Sequence, residues 1–161
     1  MRIFGFLIAL FLLACSNLSS PRFSKNFYEE KRLQLTRKSE LIENGKTALI
    51  AFSTYVSSLD FKTYPNGEVF LVELAFENDK IKFDDLSFSL LGRKPFKVQK
   101  VSQTMQKTQK FFIHSQWNEL YLVFFESVSP METTDIVLKI HIRGRVQELS
   151  FDYSYIVENV L

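Results

Sequence analysis

Nine residues, Glu68 to Phe76 (EVFLVELAF), limit the fold more than any other stretch, because the centre of this run is apolar on both faces of an extended chain. Successive side chains of a strand point to opposite faces. A segment apolar on both has to be covered twice, which makes it an internal strand. The chain supplies companions for it. Thr47 to Val56 (TALIAFSTYV) sets Ala48, Ile50, Phe52, Thr54 and Val56 on one face, and the runs Leu86–Leu91, Phe96–Val101, Leu120–Phe125 and Ile136–Ile142 follow. Arg145 to Tyr155 closes the series, with Phe151, Tyr153 and Tyr155 alternating against Asp152 and Ser154.

Turn residues fall between these runs. Asn44-Gly45 is a strong hairpin signal, Pro65-Asn66-Gly67 precedes the internal strand, Gly92 with Pro95 breaks the 86–101 stretch, and Arg143-Gly144 predicts a final hairpin. Seven or eight strands at this spacing predict an all-β fold, an antiparallel immunoglobulin-like β-sandwich. One segment carries two patterns. Glu29 to Glu43 (EEKRLQLTRKSELIE) is rich in helix-favouring residues, with a thin helical seam of Tyr28, Leu35 and Ile42, while Leu33 and Leu35 alternate as a strand does. The Asn44-Gly45 pair after it favours a strand over 33–42; a helix here makes the fold α+β.

At 161 residues the chain is one domain's worth. With 46% apolar and 24% charged residues it has the proportions of a folded protein. Net charge is +2, and without residues 1–14 there are 19 basic against 18 acidic side chains, so nothing points to nucleic acid as a partner. Seventeen phenylalanines are present, of which Phe4, Phe6 and Phe11 lie in the first fourteen residues. The remaining fourteen fill the space between two sheets or, in a second reading, line a cavity for an apolar ligand.

The N-terminus has its own logic. Arg2 and the amino group form a small positive head, and twelve uncharged, almost wholly apolar residues follow from Ile3 to Ala14. A membrane-spanning helix needs about 20, whereas this length fits a signal-peptide core. The run ends Leu12-Leu13-Ala14-Cys15, followed by Ser16, Asn17, Leu18, Ser19 and Ser20. That tetrapeptide resembles the lipobox of bacterial lipoproteins. The resemblance implies cleavage between Ala14 and Cys15 and acylation of Cys15, the only cysteine in the chain. Two or more acyl chains anchor firmly, each buried methylene contributing about 0.8 kcal/mol. Ser16 stands where an Asp favours inner-membrane retention in enterobacterial lipoproteins, which implies outer-membrane delivery, facing the periplasm. The expected layout is a signal peptide over 1–14, a lipidated tether over 15–26 and a sandwich domain over 27–161.

Signals for chemistry are sparse. His114 and His141 belong to no HExxH or other ligand-spaced cluster, and no GxSxG elbow or phosphate-cradling glycine loop occurs. No metal or cofactor is expected. Glu77, Asn78 and Asp79 with Asp84 and Asp85 form an acidic group, but their spacing matches no defined calcium loop. Leu86 to Asn118 contains no Asp or Glu and carries Arg93, Lys94, Lys97, Lys100, Lys107 and Lys110. The plainer reading is a solvated hairpin whose lysines guard a sheet edge; the functional one is a basic face that contacts an anionic surface or acidic partner. The expected role is a lipid-anchored envelope protein acting as a non-enzymatic binding or assembly module with an envelope protein as partner. The alternatives are a carrier of a lipid or other apolar ligand and an envelope hydrolase.

Overall fold

The computed structural model of the protein describes residues 27–60, 62–102, 104–105, 111, 113–129, 131 and 133–153. The chain divides into two units after Lys31, and of the first only the start of a helix is described. Eight strands are described: β1 (Thr36–Glu43), β2 (Lys46–Tyr55), β3 (Glu68–Phe76), β4 (Leu86–Leu90), β5 (Lys97–Lys100), β6 (Glu119–Phe125), β7 (Asp135–Ile142) and β8 (Arg145–Asp152). They form a five-stranded sheet in the order β1-β2-β3-β6-β5 and a three-stranded sheet in the order β4-β7-β8, antiparallel throughout. The protein is an all-β sandwich. From β2 onward its neighbour order is the A-B-E-D and C-F-G order of immunoglobulin constant-type sandwiches, with β1 added outside.

The ambiguous segment resolves into both of its patterns. Phe27–Gln34 is an α-helix (α1), with Glu29 and Glu30 in its first turn, where the helix dipole favours carboxylates. It ends because the next residues take its last carbonyls. Thr36 Oγ1 donates to the Arg32 carbonyl at 2.8 Å, and Arg37 Nη1 donates to the Gln34 carbonyl at 2.6 Å. The strand therefore begins at Thr36, not at Leu33.

β3 is covered on both sides, as its composition demands. Phe70, Val72 and Leu74 face the other sheet and pack with Tyr121, Val123 and Phe125 of β6, Phe88 and Leu90 of β4, Ile136, Leu138 and Ile140 of β7, and Phe151 of β8. Val69 and Leu71 face the other way, into a smaller core with Leu120, Leu122, Val56 and Val101, against which Met105, Phe111 and Ile113 pack. Val101, Met105, Phe111 and Ile113, described residues of the basic stretch, thus help cover the outer face of the larger sheet. In β2 the face towards the second sheet is Leu49, Ala51 and Tyr55. Ile50 and Phe52, on the face that looked apolar in sequence, are half-buried on the outside.

The two sheets meet at one lateral edge. Arg37 of β1 donates through Nε to the Ser150 carbonyl of β8 at 2.9 Å, and Arg145 of β8 donates to the Ile42 carbonyl of β1 at 2.7 Å. These two guanidiniums bridge β1 to β8 where no backbone ladder does. Asn44-Gly45 and Arg143-Gly144 each have positive φ at both residues, the type I′ geometry that suits two-residue hairpins.

Candidate functional site

The opposite lateral edge is built differently. β4 and β5 are the terminal strands of their sheets there, and the sequence between them explains why they do not join. Leu91-Gly92 is another two-residue turn, with φ of 49° and 79°. Leu90 and Arg93 across it exchange two N–H···O bonds of 2.9 Å. Extending that hairpin would set Lys94 opposite Ser89 and Pro95 opposite Phe88. Pro95 has no N–H to give, and the chain leaves β4 after this single bridge to pair with β6 as β5.

The departure leaves a groove of about 830 Å³ along the free edge of β4. Its apolar wall is Phe83, Leu86, Phe88 and Val98, with Phe83 stacked on Tyr121 at a centroid distance of 3.8 Å. Its polar wall is Ser87, Ser89, Lys94, Lys139 and His141, and no carboxylate lines it among the described residues. Ser89 Oγ and His141 Nε2 lie 2.8 Å apart. A nucleophile and base at that distance need a third group to orient the imidazole, and among the described residues no carboxylate bonds His141 Nδ1. His141 is half-buried on the outward face of β7, and its contact with Ser89 has no local sequence signal because the two lie 52 residues apart.

The predicted basic residues separate. Arg93, Lys94, Lys97 and Lys100 gather at the β4–β5 corner, and all four are exposed. Lys97 is paired in register with Phe124 on the outer face and lies 5.1 Å over its ring, whereas Lys100 is paired with Tyr121 on the inner face. Lys100 is engaged at 3.0 Å by Glu119. The Glu119 carboxyl is held below its usual range by the Tyr121 hydroxyl and by Lys100. Lys107 and Lys110 lie outside the described residues, as do Ala14 and Cys15.

Two buried carboxylates, Glu73 and Glu68, belong to no sequence motif. Glu73, on the outer face of β3 and 3% exposed, accepts from His114 N at 2.8 Å, His114 Nδ1 at 2.8 Å, Ser115 N at 3.2 Å and Asn118 Nδ2 at 2.6 Å. The His114 ring also stacks on Phe52 at 3.8 Å. Glu68 accepts from the Tyr55 hydroxyl, from Val128 N at 2.9 Å and from the Tyr153 hydroxyl at 3.2 Å. Burial, reinforced by the adjacent Glu68 charge, pushes the Tyr55 phenol far above its usual pKa. Both clusters satisfy buried donors and pin loops to β3. Their one sequence signal is a glutamate within an otherwise apolar strand.

Two members of the acidic group near residue 80, Asn78 and Asp85, are used internally. Asn78 Oδ1 accepts from Lys80 N at 3.0 Å, while Asp85 accepts from Lys82 N and Arg143, each at 3.0 Å. The Lys82 N–H, with Arg143 in support, lowers the Asp85 pKa. Among the described residues no group of three or more His, Cys, Asp and Glu side chains converges as a metal site. No helix among them is long and apolar enough to cross a membrane. No family model, curated protein or solved structure matches the chain.

Proposed function

We propose that the protein is a lipid-anchored binding or assembly module of the bacterial cell envelope, tethered through Cys15 and working through the groove between β4 and β5. The observation that carries the binding reading is the asymmetry of the sandwich. One lateral edge is bridged by Arg37 and Arg145. The other is left open by Pro95, with an apolar wall beside a strand edge that has no partner strand among the described residues. Proteins use such edges to capture extended segments of others. The lipobox resemblance carries the address: the signal segment is removed, Cys15 is acylated, and the tether holds the sandwich at the outer membrane, facing the periplasm.

Growth of the source bacterium with a labelled fatty acid tests the anchor. The wild-type chain takes up label and sediments with membranes, and Cys15→Ala abolishes both. A wild-type chain that stays unlabelled and soluble overturns the lipoprotein reading.

Two further readings each have one observation behind them. The Ser89–His141 contact of 2.8 Å supports a hydrolase; labelling by a fluorophosphonate probe that disappears in Ser89→Ala is its test. Phe83 and Phe88 in the groove wall support an apolar-ligand carrier, tested by displacement of a bound fluorescent fatty acid on Phe88→Ser.

A further inference from the structure

We infer that the groove takes an extended, acidic peptide segment of a partner protein, added antiparallel to the free edge of β4; this rests on the groove being the binding surface. The backbone supplies the first argument. In an antiparallel ladder the N–H and C=O of one residue point to the same side, and successive residues alternate sides. Leu90 directs both groups away from β7, at Arg93. Phe88, two residues earlier, therefore directs its N–H and C=O the same way, off the edge and into the groove. Leu86 adds its carbonyl on that side, its N–H being used by the Phe83 carbonyl. Pro95 stands where the hairpin partner of Phe88 would stand and has no N–H for the Phe88 carbonyl. The groove is the place of a strand the chain begins and does not complete.

The side chains give the pattern of the occupant. A strand on this edge has alternate residues pointing between the sheets, towards Phe83, Phe88 and Val98, and the others outward, past Ser87 and Ser89. The inward positions call for apolar residues. The outward ones meet Lys94 and Lys139, in a groove without a lining carboxylate among the described residues, and call for Asp or Glu. Lys139 holds Glu148 at 2.7 Å on the exposed face of the sheet, an arrangement a second carboxylate can join. Antiparallel addition continues the direction in which the chain leaves Arg93.

The test uses the full chain with Cys15→Ala and a decapeptide of alternating valine and glutamate, read by fluorescence anisotropy and amide hydrogen exchange. Binding slows exchange of the Phe88 N–H by at least about tenfold and leaves Ser87 and Ser89, which bond β7, unchanged. In the antiparallel register the valines share the face of Phe88 and direct their N–H groups at β4. N-methylation of the valines then weakens binding about tenfold or more, and N-methylation of the glutamates does not. Lys94→Glu weakens binding about tenfold and reverses the preference towards an alternating valine–lysine peptide. Anionic phosphatidylglycerol vesicles form a parallel arm. Binding to vesicles alone, lost in Lys94→Glu, replaces the peptide with a membrane surface and overturns the inference. So does peptide binding that leaves Phe88 exchange untouched, or that survives both methylations. Loss confined to the glutamate-methylated form overturns the antiparallel register. None of these results bears on Cys15 labelling, so the anchor reading stands or falls separately.

Discussion

Removing the Glu73 carboxylate releases the turn that covers the outer face of the larger sheet. In Glu73→Ala, the backbone N–H groups of His114 and Ser115, the His114 ring and the Asn118 amide lose a common acceptor held at 2.6 to 3.2 Å. Hydrogen bonds to a charged acceptor contribute about 1.5–3 kcal/mol each. The contacts are not additive, because the freed turn regains water at its exposed side, where His114 is one-third exposed. Crediting the equivalent of one or two such bonds gives a loss of about 3 kcal/mol. Glu73→Gln costs less. With its oxygen at the Oε1 position it keeps His114 N, Ser115 N and Asn118 Nδ2, and its amide donates to the His114 ring in the other tautomer. The remaining loss is charge assistance, about 1–2 kcal/mol. Urea denaturation followed by far-UV circular dichroism reads both values. Amide exchange locates them, with His114 and Ser115 accelerating more than residues of β7. A Glu73→Ala loss under about 0.5 kcal/mol, with unchanged exchange at His114, would refute the clamp.

Gly67 has φ of +122°, and a β-carbon there would lie 2.5 Å from the Phe125 carbonyl oxygen. Gly67→Ala therefore costs more than about 2 kcal/mol, measured by the urea midpoint; a neutral result means β3 and β6 are not so close at this end. Ser53 is fully buried in β2 with no partner for its hydroxyl among the described residues. Ser53→Ala is expected to stabilise by about 1 kcal/mol, and thermal melting that shows destabilisation contradicts it. The phenols of Tyr55 and Tyr121 are raised by burial and by Glu68 and Glu119 respectively. A group whose native pKa is raised gives stability that is complete below its unfolded pKa and is lost above it, so urea midpoints fall as pH rises past about 10. The fall is shallower in Tyr55→Phe, and an equal slope in both proteins removes Tyr55 as its source.

Most of the sheet framework was legible because period-two patterning and two-residue turns are local. The strand Glu68–Phe76 and the hairpins at Asn44-Gly45 and Arg143-Gly144 follow from neighbours in sequence. The inward face of β2 did not, since Ile50 and Phe52 are as apolar as Leu49 and Ala51, and only the position of the second sheet distinguishes them. Residues 29–43 misled for a related reason: the switch at Leu35 depends on Thr36 and Arg37 taking helix carbonyls, which no periodicity shows. The groove was half legible. Gly92 and Pro95 read as a break, but that break opens a strand edge only because β5 joins β6 in the other sheet. Glu73 and His114 are 41 residues apart, and Ser89 and His141 are 52 apart, so only the fold brings each pair together.

Site-specific photo-crosslinking in living cells tests the central claim most directly. A benzoylphenylalanine at Val98, in the groove wall, is compared with one at Ser150, on the edge bridged by Arg37. In the wild-type, Cys15-bearing chain, a discrete envelope-protein adduct forms from position 98, is lost with Lys94→Glu, and is absent from position 150. Equal crosslinking from both positions, or an adduct at 98 that persists with Lys94→Glu, contradicts a binding module that works through the β4–β5 groove.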